Sequence, residues 1–99
     1  MKSDKMNYSA LIDIISKVHN QAQAGAAGAV NRFLILRNWL IGFYLIGFEQ
    51  NGKDRAKYGS GLLKKAAQDL KIRGVSGCAV RMLERMRVFH TTYPQLKDA

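Results

Sequence analysis

The sequence predicts an all-α fold, and three observations carry that prediction. Apolar residues recur every three or four positions through residues 9–22 and again through 61–93, the period of amphipathic helices rather than strands. Between them, Asn31 to Glu49 is apolar over a length that exceeds ordinary strands, so helix is favoured despite its β-branched and aromatic content. Gly52, Gly74, Gly77 and the only proline, Pro94, fall where these stretches end. The expectation is one small domain of four or five helices over residues 1–99. Residues 8–50 form its helical scaffold, residues 58–94 a helix-turn-helix-like unit, and residues 1–6 and 95–99 flexible ends.

The first helix has Ser9 as its candidate cap. Its apolar stripe is Leu11, Ile12, Ile15, Val18 and Ala22, while Asp13, Ser16, Lys17 and Asn20 face out. Gln21 to Val30, QAQAGAAGAV, is a continuous helix, a kink or a short joint, since Gly25 and Gly28 each cost a helix about 1 kcal/mol. Its small side chains, without Ser, Pro or charge, favour a closely packed neighbour over a flexible linker.

Asn31 to Glu49 is hydrophobic nearly all round, which on a helix means burial on most faces. Ala24 to Phe48, 25 residues, would span a bilayer, but Asn31, Arg32, Arg37 and Asn38 interrupt it, and a central arginine costs about 2.5–3.5 kcal/mol to insert. A core helix whose surplus apolar surface joins copies of the chain is expected instead. The candidate oligomer interface is Phe33, Leu36, Trp39, Leu40, Phe43 and Tyr44. Stacking of these rings on bases is disfavoured, because unpaired bases need exposed rings set among cations.

Gln50 to Lys57, QNGKDRAK, reads as a polar loop in which Gly52 ends the helix. It leads into a short helix with Leu62, Leu63, Ala66, Ala67 and Leu70 on one face and Ser60 as candidate cap. Gly74, Ser76 and Gly77 break the pattern, and the last helix is expected to start near Ser76 or Gly77. Ala79, Met82, Leu83, Met86, Phe89, His90 and Tyr93 then share one face, while Arg81, Arg85, Val88 and Thr92 point the opposite way. Pro94 stops that helix. A short hairpin wing would complete the unit but has no assignable position.

Charge gives the functional lead. The chain carries +9 with pI near 10.1. Residues 53–99 hold 11 Lys or Arg against 4 acids, or +7, and residues 1–52 hold 5 against 3, or +2. Clustered cations at this pI are either the footprint of a phosphate-binding surface or a face that only keeps the fold in solution. Arg81 and Arg85 are the candidate groove contacts, and Lys53, Arg55, Lys57, Lys64 and Lys65 the candidate phosphate contacts. Double-stranded DNA is the expected partner, with a homo-oligomer as a further one. Arg87, at the edge of the apolar stripe, reads as structural, pairing with an acid or snorkelling from the core.

Several residues also carry a resemblance. Ile46-Gly47, Tyr58-Gly59, Leu62 to Asp69-Leu70, then Gly77, Arg81, Leu83, Met86-Arg87, Phe89 and Tyr93-Pro94 stand in the order seen in the N-terminal domain of the YhcG family. In that family a helical, winged-helix-like domain precedes a PDDEXK nuclease domain in bacterial proteins. The resemblance implies a domain that binds nucleic acid or mediates assembly while another domain cuts, and it adds a nuclease-bearing protein to the expected partners. This chain has Cys78-Ala79 where the family has Phe-Ser, and Ala66-Ala67 where it has Leu-Ser. Nothing in its 99 residues matches the nuclease's Asp and Glu-x-Lys core, so nuclease activity does not carry over.

Other classes are disfavoured. The seven acids are scattered, and no nucleophile, base and acid fall into a catalytic grouping, so no enzyme and no cofactor are expected. His19, His90 and Cys78 lack metal-ligand spacing, and the histidines read as packed, hydrogen-bonded residues. The single cysteine excludes an intrachain disulfide. Polar interruptions at Asp13, Ser16, Lys17 and His19 leave no usable signal peptide, so the expected location is cytoplasmic.

Overall fold

The structure, a computed structural model, describes residues 6–23 and 30–95. Its elements are α1 (Tyr8–Gln23), α2 (Val30–Asn51), α3 (Arg55–Tyr58), a 3-10 turn (Gly59–Gly61), α4 (Leu62–Ile72) and α5 (Val80–Thr92). The fold is all-α, and neither a strand nor the wing hairpin occurs among the described residues. The small-residue joint around Gly25 and Gly28, most of the amino-terminal segment and most of the tail lie outside the described residues.

The core forms where the apolar stripes meet. Leu11, Ile12 and Ile15 of α1, Ile41, Leu45 and Phe48 of α2, Leu62, Leu63, Ala66 and Leu70 of α4, and Leu83 and Met86 of α5 are all buried in one cluster. The long helix α2 is central, packed against α1 and α5, with α4 closing the cluster against α1 and α5. The approach of α2 to α5 is so close that a methyl on Gly42 would lie 2.7 Å from the Met86 carbonyl carbon and 3.1 Å from His90 Cβ. His90 packs beside the Trp39 and Phe43 rings, at 4.7 and 5.4 Å, but its Nδ1 has no hydrogen-bond partner among the described residues.

Helix ends depart from the sequence reading in specific ways. Asn7, not Ser9, caps α1: its Oδ1 accepts from the Ala10 N–H at 2.8 Å, the third residue of the helix, whereas Ser9 is already inside the first turn. Asp54 accepts from the Tyr8 N–H at 2.8 Å, tying this end to the segment after α2. Met6 packs on the core and its carbonyl accepts from the Lys53 N–H at 2.8 Å. The expected loop 50–57 is mostly helical, since α2 continues to Asn51 and α3 begins at Arg55.

Ser60 does not cap α4, which starts at Leu62 with no side-chain cap. Its other end is a Schellman motif. The Val75 N–H donates to the Leu70 carbonyl at 2.9 Å and the Gly74 N–H to the Lys71 carbonyl at 3.0 Å, with Gly74 at φ 79°. Val75 and Leu70, the apolar pair of that motif, are both buried. This closure delays α5, which starts at Val80 rather than near Ser76. The connection therefore runs from Arg73 to Ala79, longer than the three or four residues of a tight helix-turn-helix.

Candidate nucleic-acid interface

The seven predicted cations are all exposed, but they do not share one role. Arg81 and Arg85 stand one turn apart on the outer face of α5 and join no ion pair among the described residues. Together with Glu84, Val88, Phe89, Thr92 and Tyr93 they line a shallow depression. The face exists because Leu83 and Met86 turn inward and fix the rotation of the helix.

The neighbouring arginines are committed to the fold. Arg73 bonds Asp13 of α1 at 2.7 Å and Arg87 bonds Glu49 of α2 at 2.6 Å, the latter as its position at the stripe edge implies. Arg55 caps the carboxy-terminal end of α2, its Nη1 donating to the Gly52 carbonyl at 2.8 Å. Lys65 donates to both oxygens of Asp69 at 3.2 and 3.0 Å and lies 5.9 Å from the Tyr8 ring centre. Lys57 sits 5.9 Å over the Tyr58 ring. Lys53 and Lys64, with Lys71 that the sequence reading passed over, are exposed without a described ion pair.

Asp69 links α4 to α1. The Tyr8 hydroxyl donates to its Oδ2 at 2.6 Å. That bond, and then Lys65, hold the Asp69 carboxyl below its ordinary pKa. Burial first, and then the bond to Asp69, push the Tyr8 hydroxyl above its ordinary pKa, so it remains a donor throughout the physiological range.

The least anticipated feature is Arg37, which is only 5% exposed. Its Nη1 meets His19 Nδ1 at 2.9 Å and donates to the Ser76 carbonyl at 2.9 Å, while Nε and Nη2 donate to Asn38 Oδ1 at 3.0 and 2.9 Å. One guanidinium thus ties α1, α2 and the connection between α4 and α5. Gly77, at φ 75°, leaves it room, since a methyl there would lie 3.1 Å from Nη2. Burial, and then Arg37, lower the His19 pKa, so the imidazole is the neutral acceptor in this contact. Cys78 is buried beside this cluster, and burial raises its thiol pKa.

The expected oligomer interface divides. Leu36 and Phe43 are each 42% exposed, and Leu40 and Tyr44 are half-buried. Trp39 is a core residue rather than an interface one: it is 2% exposed, covered by α5, and donates from Nε1 to the Tyr93 carbonyl at 2.8 Å. The side chain of Phe33 lies outside the described residues. Leu34 and Ile35, which the sequence reading omitted, are exposed as well. Among the described residues no helix is long and apolar enough to cross a membrane, and no three His, Cys, Asp or Glu cluster as a metal site.

Comparison with known proteins places these features in context. A family model described as the DUF1016 N-terminal domain matches residues 13–99. A protein of Escherichia coli (strain K12) named "Putative nuclease YhcG" is 29% identical over 90 residues, which cover 91% of this chain. The chain spans 24% of that relative's own length. No solved structure matches it.

Proposed function

This chain belongs to the DUF1016 N-terminal domain family, and we propose that it is a nucleic-acid-binding domain of the kind that accompanies a nuclease. Its ligand in this reading is duplex DNA. Arg81 and Arg85 of α5 approach the major groove, while Lys53, Lys57 and Lys64 neutralise phosphates; Arg55 and Lys65 serve the Gly52 carbonyl and Asp69 instead. The nuclease name of the relative supports the choice of nucleic acid over other polyanions.

One observation carries the reading. Arg73 and Arg87 are neutralised by acids from other helices, whereas Arg81 and Arg85, between them in sequence, face solvent without a described counter-ion. Concentrated, unneutralised positive charge on a packed helix raises the local potential and favours a polyanion. In this reading α4 and α5 act as a relaxed helix-turn-helix across a connection of seven residues, Arg73 to Ala79.

A second reading has its own observation. Leu36 and Phe43, each 42% exposed, lie seven residues apart on one side of α2, and Leu34 (45%) and Ile35 (54%) are exposed near its start, apolar surface of the kind that joins copies of a chain or docks a nuclease-bearing partner. The two readings separate in one experiment. The double variant Arg81→Glu/Arg85→Glu is expected to weaken duplex binding at least about a hundredfold, since two attractions to the polyanion become two repulsions. Its molar mass in solution should equal the wild type's. Retained binding in the double variant would remove α5 from the interface, and an altered mass would tie α5 to assembly.

A further inference from the structure

The carboxy-terminal end of α5 presents an aromatic surface that duplex binding leaves unused. Tyr93 is 47% exposed and packs edge-on against Phe89, ring centres 5.7 Å apart. Its backbone is fixed on both sides: the N–H donates to the Phe89 carbonyl at 3.0 Å and the carbonyl accepts from Trp39 Nε1 at 2.8 Å. The ring is therefore held in solvent on a rigid support. Arg85 precedes it by eight residues on the same depression, roughly 12 Å along the axis at 1.5 Å per residue, and Arg81 lies one further turn back.

An exposed ring at the end of a cation-lined depression offers an unpaired base a face to stack on. In an intact duplex the base faces are covered by their neighbours, so Tyr93 has nothing to stack on. An unpaired base offers such a face. Charge gives the direction of the strand. The end of a helix nearest its free carbonyls carries partial negative charge, which disfavours a phosphate beside Tyr93 and suits an uncharged base. Phosphates belong further back, at Arg85 and Arg81, with Glu84 disfavouring them at its own position. An acidic peptide would gain only exposed ion pairs here, which contribute little.

We infer that this end of α5 binds an unpaired nucleobase stacked on Tyr93, with neighbouring phosphates on Arg85 and Arg81. The domain then prefers DNA in which a single-stranded segment adjoins a duplex. This rests on the nucleic-acid reading above, and it adds a structural preference to it.

The test is fluorescence anisotropy with two labelled DNAs, a blunt duplex and the same duplex bearing an unpaired extension. Wild type is expected to bind the extended DNA about tenfold more tightly, the gain of one stacked base. Tyr93→Ala should erase that preference while leaving blunt-duplex affinity unchanged, and Tyr93→Phe, which keeps the ring, should retain it. Circular dichroism confirms that each variant is folded. Equal affinity of wild type for the two DNAs, or a preference that survives Tyr93→Ala, overturns the inference and leaves duplex binding standing. Failure to bind either DNA overturns both, as does an acidic peptide that binds this face while neither DNA does.

Discussion

Gly42→Ala is expected to destabilise the domain by about 3 kcal/mol, lowering the melting temperature by about 10–20 °C in a chain of this size. Alanine is the better helix former by about 1 kcal/mol, so propensity alone predicts the opposite sign. Packing decides. The added methyl would press into the Met86 carbonyl of α5, and that group is backbone rather than the end of a flexible side chain. To admit it, α2 and α5 must separate along the contact that buries Leu45, Leu83 and Met86. Gly47 supplies the control. It lies on the same helix with nothing within 4 Å of an added methyl, so Gly47→Ala should gain about 0.5–1 kcal/mol. Thermal melts followed by circular dichroism compare the two. A Gly42→Ala variant that melts with the wild type would mean that the α2–α5 contact is looser than described.

Arg37→Lys, conservative by charge, is expected to cost about 3 kcal/mol or more, and Arg37→Met to cost less. A lysine keeps the buried charge but cannot reproduce the fork that reaches Asn38 Oδ1, His19 Nδ1 and the Ser76 carbonyl together. Methionine removes the charge and leaves acceptors short of a donor, a penalty of about 1–3 kcal/mol for a buried group and less at Ser76, which is exposed. The cluster also sets a pH dependence. The folded-state pKa of His19 is lowered, so the unfolded chain takes up the proton first. Stability is complete above the ordinary histidine value of about 6.5 and declines as pH falls below it toward the folded value. Denaturant melts of the three proteins across that range report both effects. Methionine costing more than lysine would show that the hydrogen bonds, not the unneutralised charge, dominate the site.

Much of this was readable from spacing. The stripes of α1, α4 and α5 are amphipathic, so their periods predict which residues enter the core, and Arg81 and Arg85 follow as the outward face of α5. The long helix α2 was harder. Its sequence is apolar on nearly every side and has no period to orient it, so Trp39, buried under α5, and Phe43, four residues on and exposed, look alike. The start of α5 was hidden for another reason. Val75 and Cys78 continue an apolar pattern but are buried by the Schellman closure and the turn that follows, not by a helix. The role of Arg37 depends on contacts 18 and 39 residues away in sequence, which local pattern cannot supply. Its one signal was a lone cation amid a run of large apolar residues. The same spacing put Tyr93 on the apolar face, yet it stands just past the last helical turn and leaves its ring in solvent.

A salt titration of the affinity for a random-sequence duplex tests whether the basic half of this domain binds DNA through phosphate contacts. Each phosphate neutralised contributes about −0.9 to the slope of log K against log salt, so several of the seven candidate cations acting together predict a slope of about −4 or steeper. A slope near zero, or no binding at low salt, would rule out phosphate contacts and leave the positive charge as a solvated surface beside an assembly module.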